Sequence, residues 1–192
     1  MIKSIALIVS CLVILTSCGG PQSQQGASVQ TNNTVNTQEA DQDCKNYYLA
    51  AAKADSVLMR ATSQNIADAE NALKAFNSFA SFCKKDTLAA IFLVKGGQVA
   101  QSIRNFTQAK AMWEQCIINF PQSKNRSVAM FLLAQLYDDA TMLNNEEEAK
   151  KLYEQIIKEY PKSALATDAK TCLNNLGKSD EQLVQEFLKK SK

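Results

Sequence analysis

An all-α fold assembled from a repeated helical hairpin follows from three observations. Only 6 Gly and 3 Pro occur in 192 residues, so breakers are scarce, and the abundant Ala, Leu, Lys, Gln and Glu are good helix formers. Two stretches repeat in register at an offset of 40 residues: NFTQAKAMWEQCIINFPQS from Asn105 to Ser123 and NEEEAKKLYEQIIKEYPKS from Asn145 to Ser163. Within each copy a small residue and an aromatic stand four apart, Ala109 with Trp113 and Ala149 with Tyr153. Residues four apart share a helix face, so the small one admits a neighbouring helix and the aromatic fills the next layer. A fainter copy places Ala69 and Leu73 one period earlier. Repetition at this period means stacked units that bury their apolar faces on one another.

The elements follow in order from the N-terminus. Lys3 precedes an uncharged apolar run from Ile5 to Leu15. That is the layout of a secretory signal, and the run is too short for a membrane span of ~20 residues. Its end, Leu15-Thr16-Ser17-Cys18, resembles the lipobox of bacterial lipoproteins. The resemblance implies cleavage after residue 17 and a diacylglycerol on the Cys18 thiol. The alternative is an ordinary signal peptide followed by a chance cysteine. Residues 18–43 then read as the lipidated Cys18 and a flexible linker, dominated by Gln, Ser, Thr, Asn and Gly. Such a composition cannot bury enough surface to order itself. The 25 residues from Gly19 to Asp43 would span roughly 25–30 Å as a coil.

The helical domain is expected over 44–192. A first helix from about Cys44 to Thr62 follows Asp43 as N-cap, and a second runs from about Asn65 to Phe82. Asp86 caps a third that ends near Ser102. A fourth spans Phe106 to Phe120, stopped by Pro121, because proline cannot continue the helical ladder. A fifth is expected from Asn125 to Leu143, and a sixth from Glu146 to Tyr160, stopped by Pro161. The triplet Glu146-Glu147-Glu148 suits the first turn of a helix, where the macrodipole favours negative charge. Ser163 caps a seventh helix ending at Gly177. The last, Asp180 to Lys190, carries an apolar stripe of Leu183, Val184, Phe187 and Leu188. It reads as a capping helix over the open end of the stack, or alternatively as a helix that docks a partner.

Composition excludes several function classes. There is no histidine, which removes His-based triads and HExxH zinc sites. Removing residues 1–17 removes only Lys3 from the charge count, leaving 20 basic and 19 acidic residues, a net charge of +1. That balance offers no electrostatic case for nucleic acid. Neither catalytic residues, nor a metal site, nor a cofactor are expected. The only acidic clusters are Asp138-Asp139 and the Glu146 triplet.

Cysteines add one constraint. Cys44 and Cys83 both lie about 19.5 residues from the expected turn near Ser63-Gln64, and equidistant positions of an antiparallel hairpin face each other. A disulfide between them is therefore expected in an oxidising compartment, with four free thiols as the alternative. Cys116 and Cys172 fall on apolar positions and read as core thiols.

The Ala-x3-aromatic…Pro pattern resembles the second helix of a tetratricopeptide (TPR) repeat, and Leu93-x-x-Gly96-Gly97 and Leu132-Leu133-Ala134-x-x-Tyr137 resemble first helices. The resemblance covers about Cys44 to Gly177. It implies a TPR-like α-solenoid of about three repeats plus the capping helix, with first helices lining a groove for an extended peptide or a partner helix. In that register the groove candidates are Gln98, Gln101, Gln135, Asp138, Asp139 and Asn175. Together with Cys18, and with Tyr160-Pro161-x-Ser163-x-x-Ala166-x-x-Ala169, the arrangement resembles the broad class of bacterial envelope TPR lipoproteins, including outer-membrane assembly and Tol-Pal associated members. The chain lacks the five repeats of the assembly lipoprotein and the N-terminal coiled coil of the Tol-Pal protein. The class implies a non-enzymatic adaptor, lipid-anchored in the outer membrane facing the periplasm, that binds an envelope protein or peptide. A self-associating structural subunit, a homo-oligomer, is the alternative.

Overall fold

The structure, a computed structural model, describes residues 32–63 and 65–190, without the side chains of 32–40, 180 and 190. The expected signal peptide, Cys18 and most of the linker lie outside the described residues. Eight helices run in order among them: α1 (Asn32–Arg60), α2 (Ile66–Phe82), α3 (Thr87–Ser102), α4 (Phe106–Asn119), α5 (Asn125–Asp138), α6 (Glu146–Glu159), α7 (Ala164–Asn175) and α8 (Asp180–Lys190). Each of α1 to α7 packs on its neighbour in sequence, and α3 also meets α5 and α5 meets α7. The result is an all-α, TPR-like solenoid.

The 40-residue period is visible atom by atom. Ala69, Ala109 and Ala149 are buried at one level, and Leu73, Trp113 and Tyr153 one turn later. Phe76, Cys116 and Ile156 follow, and Ala89, Ala129 and Ala169 recur on the odd helices. Asn65, Asn105 and Asn145 each cap an even helix, accepting from Ala67 N at 2.9 Å, Gln108 N at 3.2 Å and Glu148 N at 3.2 Å. Each such cap satisfies a backbone donor that the helix itself cannot. Arg104 (φ 61°) and Asn144 (φ 47°), again 40 apart, hold the left-handed turn before two of these caps. Asp86 caps α3 as expected, accepting from Leu88 N at 2.8 Å, and Ser163 caps α7, accepting from Ala166 N at 3.1 Å.

Gly96 and Gly97 set the closeness of α3 and α4. A Cβ at Gly97 would lie 2.1 Å from Trp113 Nε1, and one at Gly96 would lie 2.1 Å from Met112 Cε. The Trp113 indole N–H donates to Val94 O at 3.2 Å, across the same contact. At the other end of the hairpin stack, a disulfide joins Cys44 of α1 to Cys83 after α2, with Cα atoms 5.5 Å apart. Tyr47 and Phe82 stack beside it at 4.5 Å.

Four expectations need correction. The flexible linker does not reach Asp43, because α1 begins at Asn32. Extending an already nucleated helix needs no new nucleus, and the Thr-Gln-Glu-Ala-rich stretch there contains no breaker. Helix α5 stops at Asp138 rather than Leu143, since Asp139 instead accepts from Thr141 N and Thr141 Oγ1 and closes a turn. The last helix forms where expected but does not seal the stack. It packs against no neighbour extensively, and Val184, Phe187 and Leu188 remain exposed. Cys172 is half-buried rather than a core thiol, whereas Cys116 is fully buried.

Candidate partner-binding groove

The odd helices approach one another more closely than the even ones do, so they line the shorter, concave side of the solenoid. Helical spacing determines which side chains face inward. Along one face of α3, Leu88, Ile91, Lys95 and Gln98, at i, i+3, i+7 and i+10, stay out of the buried core. One period on, α5 presents Val128, Phe131, Gln135 and Asp138, of which Val128 and Phe131 also pack against the core. The inner wall is thus a ladder of apolar and polar rungs, in which half-buried Ile91 and Phe131 alternate with Lys95 and Gln135.

Each candidate residue can now be placed. Gln98, Gln135 and Asn175 are exposed. By the 40-residue register Gln135 and Asn175 are equivalent, but their partner on α3 is Lys95, whereas Gln98 corresponds to Asp138. The equivalence of Gln98 with Gln135 is therefore corrected. Gln101 is half-buried and donates from Nε2 to Met142 Sδ at 3.3 Å, tying α3 to the loop after α5. Asp138 accepts from the buried Tyr153 hydroxyl at 3.1 Å, which commits it to the α5–α6 contact. Asp139 is held by Thr141, whose hydroxyl and backbone hydrogen bonds keep its carboxyl below the usual range. The three amides stand open to a ligand, while Gln101, Asp138 and Asp139 are engaged within the fold.

Sequence reasoning missed the Asp55–Lys95 pair at the head of the groove. Lys95 Nζ donates to Asp55 Oδ2 at 2.5 Å, joining α1 to α3 across 40 residues. The signal was the period itself, which places Asp55, Lys95, Gln135 and Asn175 at successive equivalent positions. Behind the groove, Arg126 pins three helices. It pairs with Glu159, donates to Tyr160 Oη at 2.9 Å, and donates from Nε to Ile117 O at 3.2 Å. The Glu159 pairing raises the Arg126 pKa further, so this strut stays charged.

The wall offers the amides of Gln98 and Gln135, the Lys95 ammonium and the half-buried apolar side chains of Ile91 and Phe131. Among the described residues no three His, Cys, Asp or Glu side chains converge as a metal site. No described helix is long and apolar enough to cross a membrane. No curated protein matches the chain. Residues 128–163, from the second turn of α5 to the cap of α7, match the tetratricopeptide repeat. Repeats of that family commonly mediate protein–protein interaction, and the fold is typically a non-catalytic scaffold. With one repeat matched to the family and the same helical hairpin recurring before it, the chain is an all-α, TPR-like solenoid.

Proposed function

We propose that the protein is a non-enzymatic adaptor whose concave groove holds an extended segment of a protein partner, and that it is tethered through Cys18 to the bacterial envelope, in the outer membrane facing the periplasm. The observation that carries the groove reading is the inner ladder of Ile91, Lys95, Gln98, Phe131, Gln135 and Asn175, in which exposed amides recur beside half-buried apolar rungs. An extended peptide has free backbone donors and acceptors, and each amide can satisfy them in pairs. Net hydrogen bonds contribute only ~0.5–1.5 kcal/mol each, so affinity accumulates over several rungs. The envelope part rests on Leu15-Thr16-Ser17-Cys18 after an apolar run and on the Cys44–Cys83 bond, which suits an oxidising compartment.

Two measurements test this. Capture of partners from crosslinked envelopes should fall about tenfold for Gln98→Ala, Gln135→Ala and Asn175→Ala combined, equivalent to ~1.4 kcal/mol. Undiminished capture by the folded variant rejects the groove. Mass spectrometry of the mature N-terminus should show a diacylglyceryl increment on Cys18, and its absence rejects the anchor.

A further inference from the structure

The 40-residue register shows where the first repeat is left unfilled and the second is not. In the second, Gln101 at the end of α3 and Met142 in the turn after α5 meet side chain to side chain, and Met142 packs against the core. One period earlier the same two positions hold Ala61 and Ser102, which are too short to meet. Between the end of α1, the start of α2 and the end of α3 this leaves an open cavity of about 340 Å³. That volume falls within the range of small-ligand pockets.

The lining divides into an apolar part and one charge. Leu58, Ala61, Ala69, Val99 and Ile103 supply the apolar part. Asn65 is committed to capping α2, and Ser102 donates its hydroxyl to Val99 O at 2.8 Å. Among the described residues Asp68 is the one charged group on the cavity. It is half-buried, and among the described residues it has neither an ion pair nor a side-chain hydrogen bond. Lys53 and Arg60 share an adjoining surface with it, and neither pairs with it. Its register equivalents are both engaged: Gln108 accepts from Asn105 Nδ2 at 3.1 Å, and Glu148 accepts from Lys151 Nζ at 2.8 Å.

We infer that this cavity binds an aliphatic ammonium group, the chemistry shared by a lysine side chain and a small alkylamine. The carbon chain lies among Leu58, Val99 and Ile103, in the place that Gln101 and Met142 fill one repeat later, and the ammonium meets Asp68. A flexible apolar stem with a charged tip matches that division, because the stem is buried while the tip keeps a polar partner. A carboxylate ligand would meet like charge, and a purely apolar one would leave Asp68 unpaired. The amides of Gln98, Gln135 and Asn175 do not line the cavity, so this inference and the groove reading fail separately.

Titration of the full chain with n-pentylammonium chloride, at constant salt and detergent, tests this by proton–nitrogen correlation NMR. Shifts should concentrate at the amide signals of Ala61, Asp68, Ser102 and Ile103 and saturate in the millimolar range. n-Pentanol and n-hexanoate should bind at least about fivefold more weakly, as should n-pentylammonium to Asp68→Asn, the scale of one partly exposed ion pair. Acetyl-lysine methylamide distinguishes the two sources. Binding as tight as that of n-pentylammonium assigns the site to a partner's lysine, and binding of n-pentylammonium alone assigns it to a free amine. Ala61→Gln with Ser102→Met, which rebuilds the filling of the second repeat, should abolish the shifts, keep the helicity and raise the melting temperature. No localised shift up to about 100 mM overturns the inference. Equal binding of n-pentanol, or undiminished binding by either variant, overturns it too.

Discussion

Replacing Gly97 by alanine tests whether α3 and α4 really touch through bare backbone. The new Cβ would sit 2.1 Å from Trp113 Nε1 and 2.3 Å from Cε2, where carbon contacts belong at about 3.5–4 Å. The obstacle is a rigid indole that is fully buried, so the helices must separate by more than an ångström or the ring must leave its rotamer. Overpacking of this kind costs ~1–3 kcal/mol. Moving the ring also strains its hydrogen bond to Val94 O, worth ~1 kcal/mol. Alanine returns ~0.8–1.0 kcal/mol through helix propensity. The net expectation is a loss of about 2 kcal/mol. Gly96→Ala is the internal control, because its nearest obstacle is the methyl end of Met112, which can rotate aside. Its cost should be at least ~1 kcal/mol smaller. Urea unfolding followed by circular dichroism reads both, with Trp113 fluorescence as a local probe. Wild-type stability for Gly97→Ala, or a larger loss for Gly96→Ala, would refute the packing account.

Reducing the Cys44–Cys83 bond should destabilise the first hairpin most, by on the order of 4 kcal/mol in the chain-entropy view; hydrogen exchange should show α1 and α2 opening first, and uniform loss of protection would contradict this. Asn105→Ala and Asn145→Ala should each cost ~0.5–2 kcal/mol, since each removes an N-cap acceptor, and an unchanged melting temperature would count against the caps. Burial pushes the Cys116 thiol up to about 11 from 9.0. A raised folded value means no penalty below pH 9, then stability lost as pH climbs from about 9 to 11, because only the unfolded thiol ionises freely. Denaturant midpoints at pH 8 and pH 10.5 measure that slope, which Cys116→Ala should flatten. Iodoacetamide should label half-buried Cys172 well before Cys116 in native protein, and equal labelling rates would show that Cys116 is not sealed.

Much of the architecture is legible in the chain because its causes are local. Pro121 and Pro161 end helices wherever they occur, and Ala109 with Trp113 mark a face regardless of what packs on it. The caps at Asp86 and Ser163 bond only a few residues away. The candidate groove was legible only in part. Its amides could be located from the repeat, but Asp138 and Asp139 look like a free acidic rim in the sequence. Whether a carboxylate faces solvent or a buried Tyr153 hydroxyl depends on a helix 15 residues further on.

The sequence by itself determined the helical class, the 40-residue period, the helix ends marked by proline and the mirror placement of Cys44 and Cys83. Each of these rests on backbone chemistry or on spacing along one chain. The tertiary structure decided that Gly96 and Gly97 admit Met112 and Trp113, that Lys95 reaches Asp55, and that Val184 and Leu188 of α8 stay exposed. Those outcomes depend on how far apart two packed helices settle. That separation is set by all the side chains between them at once, not by any residue's own preference.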